Sequence, residues 1–349
     1  MRLVVYNAPN ARPLTRVYVQ LGAGDRGDGM QQATAAVKEK GTMGAAAFLP
    51  AGTTLSIVIP AYNEAVGIRA VLARVCGDYP DAEVIVVDDG SADATGDQLQ
   101  GLPVHIVRHP YNKGNGASVK TGIRAARGDY VLLLDADGQQ EPADIGKLLI
   151  HTGVYDLIVG ARTKTSHQNR MRALGNGALE WMASYLAGTR IPDLTSGFRV
   201  FRRAVILEFI HLLPNRYSYP TTSTLAFLKA GYNVTFVPIV ANKRQGGKSG
   251  QKLLQNGARF ILIILRMITL FSPMKIFAPI ALVLFLLGTG YGVYTAITQV
   301  HVTNSTVLLC LTSIIIFLMG LISEQIAALR FERVERTSDD RQWRTPPSE

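Results

Sequence analysis

Asp135-Ala136-Asp137 places two carboxylates one residue apart, directly after the apolar run Tyr130-Val131-Leu132-Leu133-Leu134. That run reads as a buried strand: it is short, apolar and preceded by the turn pair Gly128-Asp129. Like charges crowded at the end of a strand are relieved when a cation shares them. Oxygen ligands of this kind suit Mg²⁺ or Mn²⁺, which bind one or two carboxylates and complete their shell with phosphate oxygens. The chemistry this predicts is a nucleotide-diphosphate site. Three more polar clusters stand in comparable places. Pro60-Ala61-Tyr62-Asn63-Glu64 offers an aromatic ring to stack on a base and acceptors for its N–H groups. Asp88-Asp89-Gly90-Ser91 offers carboxylates to a base imide. Asn112-Lys113-Gly114-Asn115-Gly116-Ala117 opens a helix whose N-terminus favours anions; Gly114 and Gly116 permit close backbone approach and Lys113 adds a charge.

Alternating strands and helices must position these clusters. Apolar patterning predicts strands over 55–59 (ended by Pro60), 83–87, 104–108, 130–134 and 156–160, with helices over 65–75, 92–99 and 116–126. Continuous apolar strands alternating with helices imply an α/β fold, a mostly parallel sheet covered on both faces. Ligands of such sheets bind beyond the strand C-termini, where every cluster above lies. Residues 176–187 read as a helix with Trp181 and Tyr185 as packing residues, and 253–270 as an amphipathic helix suited to a membrane interface.

Of the 349 residues 48% are apolar, and the excess is local. Between Lys275 and Glu324 there is no Asp, Glu, Lys or Arg. Two apolar runs lie there, 276–298 and 307–329, split by Thr303-Asn304-Ser305. Each matches the ~20 residues a helix needs to cross a bilayer. Lys243, Arg244, Lys248, Lys252, Arg259, Arg266 and Lys275 precede the first run and Arg330, Arg333 and Arg336 follow the second; the connection 299–306 has none. The positive-inside rule then places both flanks, and the long N-terminal part, in the cytoplasm of an integral membrane protein. The net charge of +10 reads as attraction to anionic head groups or a phosphate ligand. No recognition helix or interleaved aromatic-basic patch points to nucleic acid. Cys76 and Cys310 fall in different regions, so no disulfide is expected. Residues 1–52 lack a sustained period and an apolar leader core; they read as a flexible extension, with Met43 as an alternative start. The expected order is this extension, a catalytic domain over 53–250, an interface helix over 251–274, two transmembrane helices over 275–330 and a cytoplasmic tail over 331–349.

In this order, Ser-Ile-Val-Ile-Pro-Ala-Tyr-Asn-Glu from Ser56, Val-Val-Asp-Asp-Gly-Ser from Val86, the Asn112–Ala117 cluster and Leu-Asp-Ala-Asp-Gly-Gln-Gln-Glu-Pro from Leu134 resemble the inverting family 2 glycosyltransferases with a GT-A fold. Gly160-Ala161-Arg162, Thr195-Ser196-Gly197-Phe198-Arg199 and Arg244-Gln245-Gly246-Gly247-Lys248-Ser249 are similar to the polyprenyl-phosphate branch, which includes dolichol-phosphate mannose synthases and bactoprenol glucosyltransferases. The resemblance covers about residues 55–329, and the two C-terminal runs match its bacterial subgroup with a membrane hairpin.

What the resemblance implies can be stated residue by residue. Pro60, Ala61, Tyr62, Glu64 and one or both of Asp88 and Asp89 would hold the nucleoside, with Lys113, Gly114 and Ala136 also on the nucleotide-sugar side. Asp135 would lie near the diphosphate and donor sugar, and Asp137 and Gln139 would be the main ligands of Mg²⁺ or Mn²⁺. Arg162, Arg170 or Arg172, Ser196 and Arg244 would bind the acceptor phosphate, a role that the planar fork of arginine suits. Lys248 would close over the diphosphate on the mobile pair Gly246-Gly247, and Asp193 would border the acceptor pocket and orient an arginine or a sugar hydroxyl. Asp135, Asp137, Arg162, Arg244 and Lys248 would then carry the chemistry. The implied reaction moves a hexose from a nucleotide-sugar, of the GDP-mannose or UDP-glucose type, to a polyprenyl phosphate, giving a β-linked product. Two other classes stand beside it. A processive polysaccharide synthase carries Gln-x-x-Arg-Trp before several spans, whereas here Arg341-Gln342-Trp343 follows the spans in the wrong order. A non-catalytic membrane scaffold on a transferase fold would not need Asp135, Asp137, Gln139, Arg162 and Arg244 together. Donor identity and self-association stay open.

Overall fold

The structure, a computed structural model, describes residues 44–163, 184–185, 187–216, 218–240, 271–299, 301 and 303–342. Seven strands form one sheet: β1 (Leu55–Ala61), β2 (Glu83–Asp88), β3 (His105–Arg108), β4 (Tyr130–Leu133), β5 (Leu157–Arg162), β6 (Arg199–Arg202) and β7 (Val234–Ile239). Their spatial order is β3-β2-β1-β4-β6-β5-β7. All neighbours pair in parallel except β6, which runs antiparallel to both β4 and β5. The sheet is thus mostly parallel, as patterning predicts. The reversal of β6 matters for function, because it brings the start of that strand to the edge where the parallel strands end.

Side-chain alternation explains why the strands are apolar throughout. Val58, Val131, Leu133, Val159 and Phe201 enter one core with Phe209 and Phe227, while Ile57, Ile59, Leu132, Ile158 and Val200 enter the other with Ile68 and Leu72. Both faces are covered, so consecutive positions are buried. Each such aliphatic side chain contributes about 1.5–3 kcal/mol when buried. Pro60 does not end β1 as expected. The strand runs on to Ala61, because pairing with β4 stops at Val58↔Leu133 and the missing proline N–H leaves no gap there.

Helices α1 (Ile68–Asp78), α2 (Thr95–Gln98), α3 (Asn115–Ala125), α4 (Ile145–Leu149), α5 (Arg203–Phe209) and α6 (Tyr219–Lys229) cover the sheet. The packed unit begins ahead of the expected boundary at 53. A single 3₁₀ turn, Ala45–Ala47, is held by Asp81, whose carboxylate accepts the N–H groups of Ala45 at 2.6 Å and Ala46 at 2.8 Å. Ala45 is buried, and Phe48 packs against the same core.

Two long helices close the chain, α7 (Met274–Gln299) and α8 (Asn304–Gln342). Their apolar stretches, Met274–Thr298 and Asn304–Leu329, have mean hydropathies of 2.1 and 2.5. At ~1.5 Å per residue each exceeds the ~30 Å hydrocarbon core of a bilayer. They pair through small residues: Gly288 lies against Leu309 and Cys310, Gly292 against Thr306, and Gly320 against Phe277. Leu286, Leu287, Leu318 and Ile322 stay exposed on the outside of the pair. Glu324 ties the hairpin to the sheet domain: it accepts the N–H of Met274 at 3.1 Å, and Lys229 at the end of α6 stands 3.8 Å away.

Candidate active site

At the β1 and β2 ends, Asn63 adopts the left-handed backbone (φ 55°) and links the two loops. Its Oδ1 accepts the N–H of Ala92 at 2.9 Å, and its own N–H donates to Ser91 Oγ at 3.0 Å. Glu64 N–H donates to Thr95 Oγ1. These bonds fix Pro60, Ala61 and Tyr62 beside Asp88 and leave the Tyr62 ring exposed. Thr95 does not stand out in the sequence, and Asn63 does so only as a member of its polar cluster.

Asp88 and Asp89 divide their work. Asp89 is buried, and its Oδ1 lies 2.7 Å from His109 Nδ1 and accepts the Lys113 N–H at 2.9 Å. Its Oδ2 accepts the Gly114 N–H at 2.8 Å. Asp89 therefore anchors the glycine loop. Asp88 Oδ1 accepts the Ser91 N–H, while its buried Oδ2 makes no hydrogen bond; Arg108 Nε stands 3.2 Å away as an ion pair without hydrogen-bond geometry. Of the two carboxylates, only Asp88 has an oxygen without a hydrogen bond, and that oxygen is buried against Arg108.

The glycine loop also differs from expectation. A side chain on Gly116 would meet Pro214 O at 2.1 Å, and one on Gly114 (φ 101°) would meet Asn215 O at 2.8 Å. Gly116 N–H donates to Arg216 O and Ala117 N–H to Asn215 O. The close backbone approach these glycines permit in the structure is to the 214–216 segment. Lys113 remains at the rim, its ammonium 5.7 Å from the Tyr111 ring centre.

Beyond β4, Asp135 is locked by a residue that sequence reasoning passed over. Gln140 Nε2 donates to Asp135 Oδ2 at 2.9 Å, and Asp135 N–H donates to Gln140 Oε1 at 3.0 Å. Asp137 Oδ1 accepts the Gln139 N–H at 3.1 Å, closing a turn through Gly138 (φ 70°). Ala136 is buried beneath. Among the described residues no three His, Cys, Asp or Glu side chains cluster as a closed metal site. An open, oxygen-only pair fits a hard divalent cation that takes its remaining ligands from phosphate.

At the end of β5, Arg162 is turned onto Asp193. Nε donates to Oδ2 at 2.8 Å and Nη2 to Oδ1 at 3.0 Å, a bidentate fork. Asp193 also accepts the N–H groups of Arg162, Thr195 and Ser196. Burial alone would raise its pKa, but the Arg162 charge and these hydrogen bonds outweigh it and hold the carboxyl below its usual range. Arg162 was expected to grip a phosphate directly; its fork is instead engaged by Asp193, the orienting role expected for that aspartate. Ser196 is buried on the same turn. Gly197 then faces Asp135, so the β4 and β6 edges meet at one place. Arg170, Arg172, Arg244 and Lys248 lie outside the described residues, as do Trp181 and the expected helix over 253–270.

Comparison with known proteins follows the same division of the chain. Residues 56–210 match the family model described as glycosyl transferase family 2, and residues 272–329 match the GtrB C-terminal hairpin. The chain is 30% identical over 211 residues to polyprenol monophosphomannose synthase of Mycolicibacterium smegmatis, covering 55% of this chain and 79% of that one. It is 28% identical over 208 residues to undecaprenyl-phosphate mannosyltransferase of Micrococcus luteus, covering 55% and 85%. It is 26% identical over 307 residues to glycosyltransferase AglJ of Haloferax volcanii, covering 83% and 99%. Among solved structures, glucosyl-3-phosphoglycerate synthase of Mycobacterium tuberculosis, in complex with Mn²⁺, UDP and phosphoglyceric acid, superposes with a TM-score of 0.51. That match covers 64% of this chain and 79% of the other at 21% identity, a likeness of fold.

Proposed function

The chain belongs to glycosyl transferase family 2, and on that premise we propose that it moves one hexose from a nucleotide-sugar to a polyprenyl phosphate at the cytoplasmic face of a membrane, inverting the anomeric carbon. One observation carries the proposal. The Asp135–Asp137 pair and the Arg162–Asp193–Ser196 cluster share one sheet edge, in a chain that ends in two helices of membrane-spanning length. The relatives named for polyprenyl-phosphate and undecaprenyl-phosphate sugar transfer support the acceptor class. The fold neighbour that holds UDP and Mn²⁺ supports a nucleotide donor and a divalent cation.

In this proposal Pro60, Ala61, Tyr62 and Glu64 form the nucleoside wall, with Asp88 buried beside them. Lys113 adds charge at the rim, and Asp135 receives the sugar. Asp137 and Gln139 would hold Mg²⁺ or Mn²⁺, which when bound neutralises charge on the diphosphate. Arg162, oriented by Asp193, sets a fixed positive charge beside Ser196, with Arg244 and one or both of Arg170 and Arg172 completing the phosphate grip. Lys248 stabilises the leaving diphosphate. A phosphate acceptor is already ionised at neutral pH, so it needs no strong general base. Catalysis reduces to aiming the acceptor oxygen at the anomeric carbon and stabilising the leaving group. In-line attack on an α-linked donor gives a β-linked product. The hairpin holds the site at head-group depth, where the acceptor phosphate lies, with both termini cytoplasmic by the positive-inside rule.

Membranes containing the protein, incubated with labelled UDP- and GDP-sugars and then extracted with organic solvent, test this. Label in the lipid phase is the expected result. Label in polymer would favour a processive synthase, and no label from any donor would favour a scaffold.

A further inference from the structure

Arg199 is the largest fully buried side chain among the described residues, with 0% of its surface exposed. A guanidinium taken out of water is costly unless its donors are all engaged. Here each of its three nitrogens donates to a neutral oxygen. Nε donates to Ser196 O at 3.1 Å and Nη2 bonds to the same carbonyl. Nη1 donates to Pro220 O at 2.9 Å and to Ser223 Oγ at 2.8 Å. The side chain therefore straps the Ser196 turn to the first turn of α6. Burial lowers its pKa to about 10, and the nearby charge of Asp193 and Asp135 partly offsets that, so it stays a cation at neutral pH.

The strap fixes Tyr219, the first residue of α6, whose ring is buried. Its hydroxyl and the Asp135 carboxylate converge beside Gly197: a side-chain carbon there would lie 3.0 Å from Tyr219 Oη and 2.9 Å from Asp135 Oδ2. Among the described residues nothing hydrogen-bonds to Tyr219 Oη. Desolvation, then the Asp135 charge, raises the phenol pKa, so the hydroxyl remains a donor. A carboxylate acceptor and a phenol donor side by side match the neighbouring hydroxyls of a hexose, one donating and one accepting.

We propose that Tyr219 is a donor-sugar contact working beside Asp135, and that Arg199 is the positioning residue that holds it there. The proposal rests on the assignment of Asp135 to the donor sugar. It separates Tyr219 from the nucleoside wall at the β1 and β2 ends, and that separation supplies the test.

Full-length protein in detergent is titrated with the nucleotide-sugar that labels lipid in the transfer assay, and separately with its nucleoside diphosphate. Tyr219→Phe should weaken binding of the nucleotide-sugar about three- to ten-fold, the worth of one neutral hydrogen bond. Binding of the nucleoside diphosphate should not change. Arg199→Lys keeps the charge but loses the fork, and should show the same selective loss. Equal losses for both ligands in Tyr219→Phe, or none for either, would overturn the proposal. Wild-type selectivity in Arg199→Lys would overturn the strap, and if that variant fails to fold, Tyr219→Phe alone decides. If no nucleotide-sugar labels lipid, the transfer reading itself falls and this inference with it; an active wild type with an unaffected Tyr219→Phe sinks the inference alone.

Discussion

Asp193 joins Arg162 to the backbone of its own turn, so its charge state is coupled to the fold. Its folded pKa lies below that of an unfolded aspartate, about 3.9. The stabilisation is therefore complete above that value and is lost as pH falls through the lower, folded one. Asp193→Asn should remove this acid-dependent term and destabilise the detergent-solubilised protein by about 2 kcal/mol at neutral pH, as charge-assisted bonds are lost. Thermal unfolding across the acid range measures both effects. Asp137→Ala makes a sharper demand. With Mg²⁺ or Mn²⁺ present it should abolish transfer while circular dichroism stays unchanged, and wild-type turnover would sink the metal assignment. At this scale the sequence points to candidate residues and not to the partners they touch. Asp135 and Asp137 were legible from type and spacing. The partners Gln140 and Arg199 were not, since one looked like a second copy of Gln139 and the other like the tail of a turn motif. Arg162 is a candidate from its motif, but its engagement by Asp193 depends on a loop 31 residues away.

Elements were legible wherever apolar patterning is continuous. β1, β2, β4 and β5 lie where the apolar runs predicted them, because both sheet faces are covered. The antiparallel insertion of β6 was not readable, since a four-residue strand carries no sign of its direction. The α3 entry is an expected element whose glycines also serve packing that the sequence does not reveal. Gly114 and Gly116 looked like a phosphate cradle, yet the backbone that presses on them belongs to 214–216, about a hundred residues on. Gly116→Ala should therefore behave as an overpacked core substitution, costing about 1–3 kcal/mol. Thermal melts should show that loss in the absence of any ligand. A melting temperature equal to wild type, with donor binding lost, would restore the phosphate-loop role.

Across the whole molecule, α6 spans two regions that the sequence kept apart. Tyr219 at its start faces Asp135, and Lys229 at its end meets Glu324 of the hairpin and Ser272 ahead of it. The charge-free stretch revealed the hairpin, but not its attachment, because Lys229 and Glu324 are 95 positions apart. Glu324→Ala should leave nucleotide-sugar binding unchanged and lower transfer to bilayer-embedded acceptor roughly five-fold or more, a coupling of about 1 kcal/mol. Unchanged transfer in liposomes would show that the hairpin anchors without orienting. The most direct measurement compares acceptors. Purified full-length protein is given labelled nucleotide-sugar with polyprenyl phosphate, with the matching polyprenol, or with no lipid, and label in the organic phase is counted. Transfer only with the phosphate is the predicted result; equal transfer to the polyprenol, or label confined to water-soluble product or polymer, would contradict it.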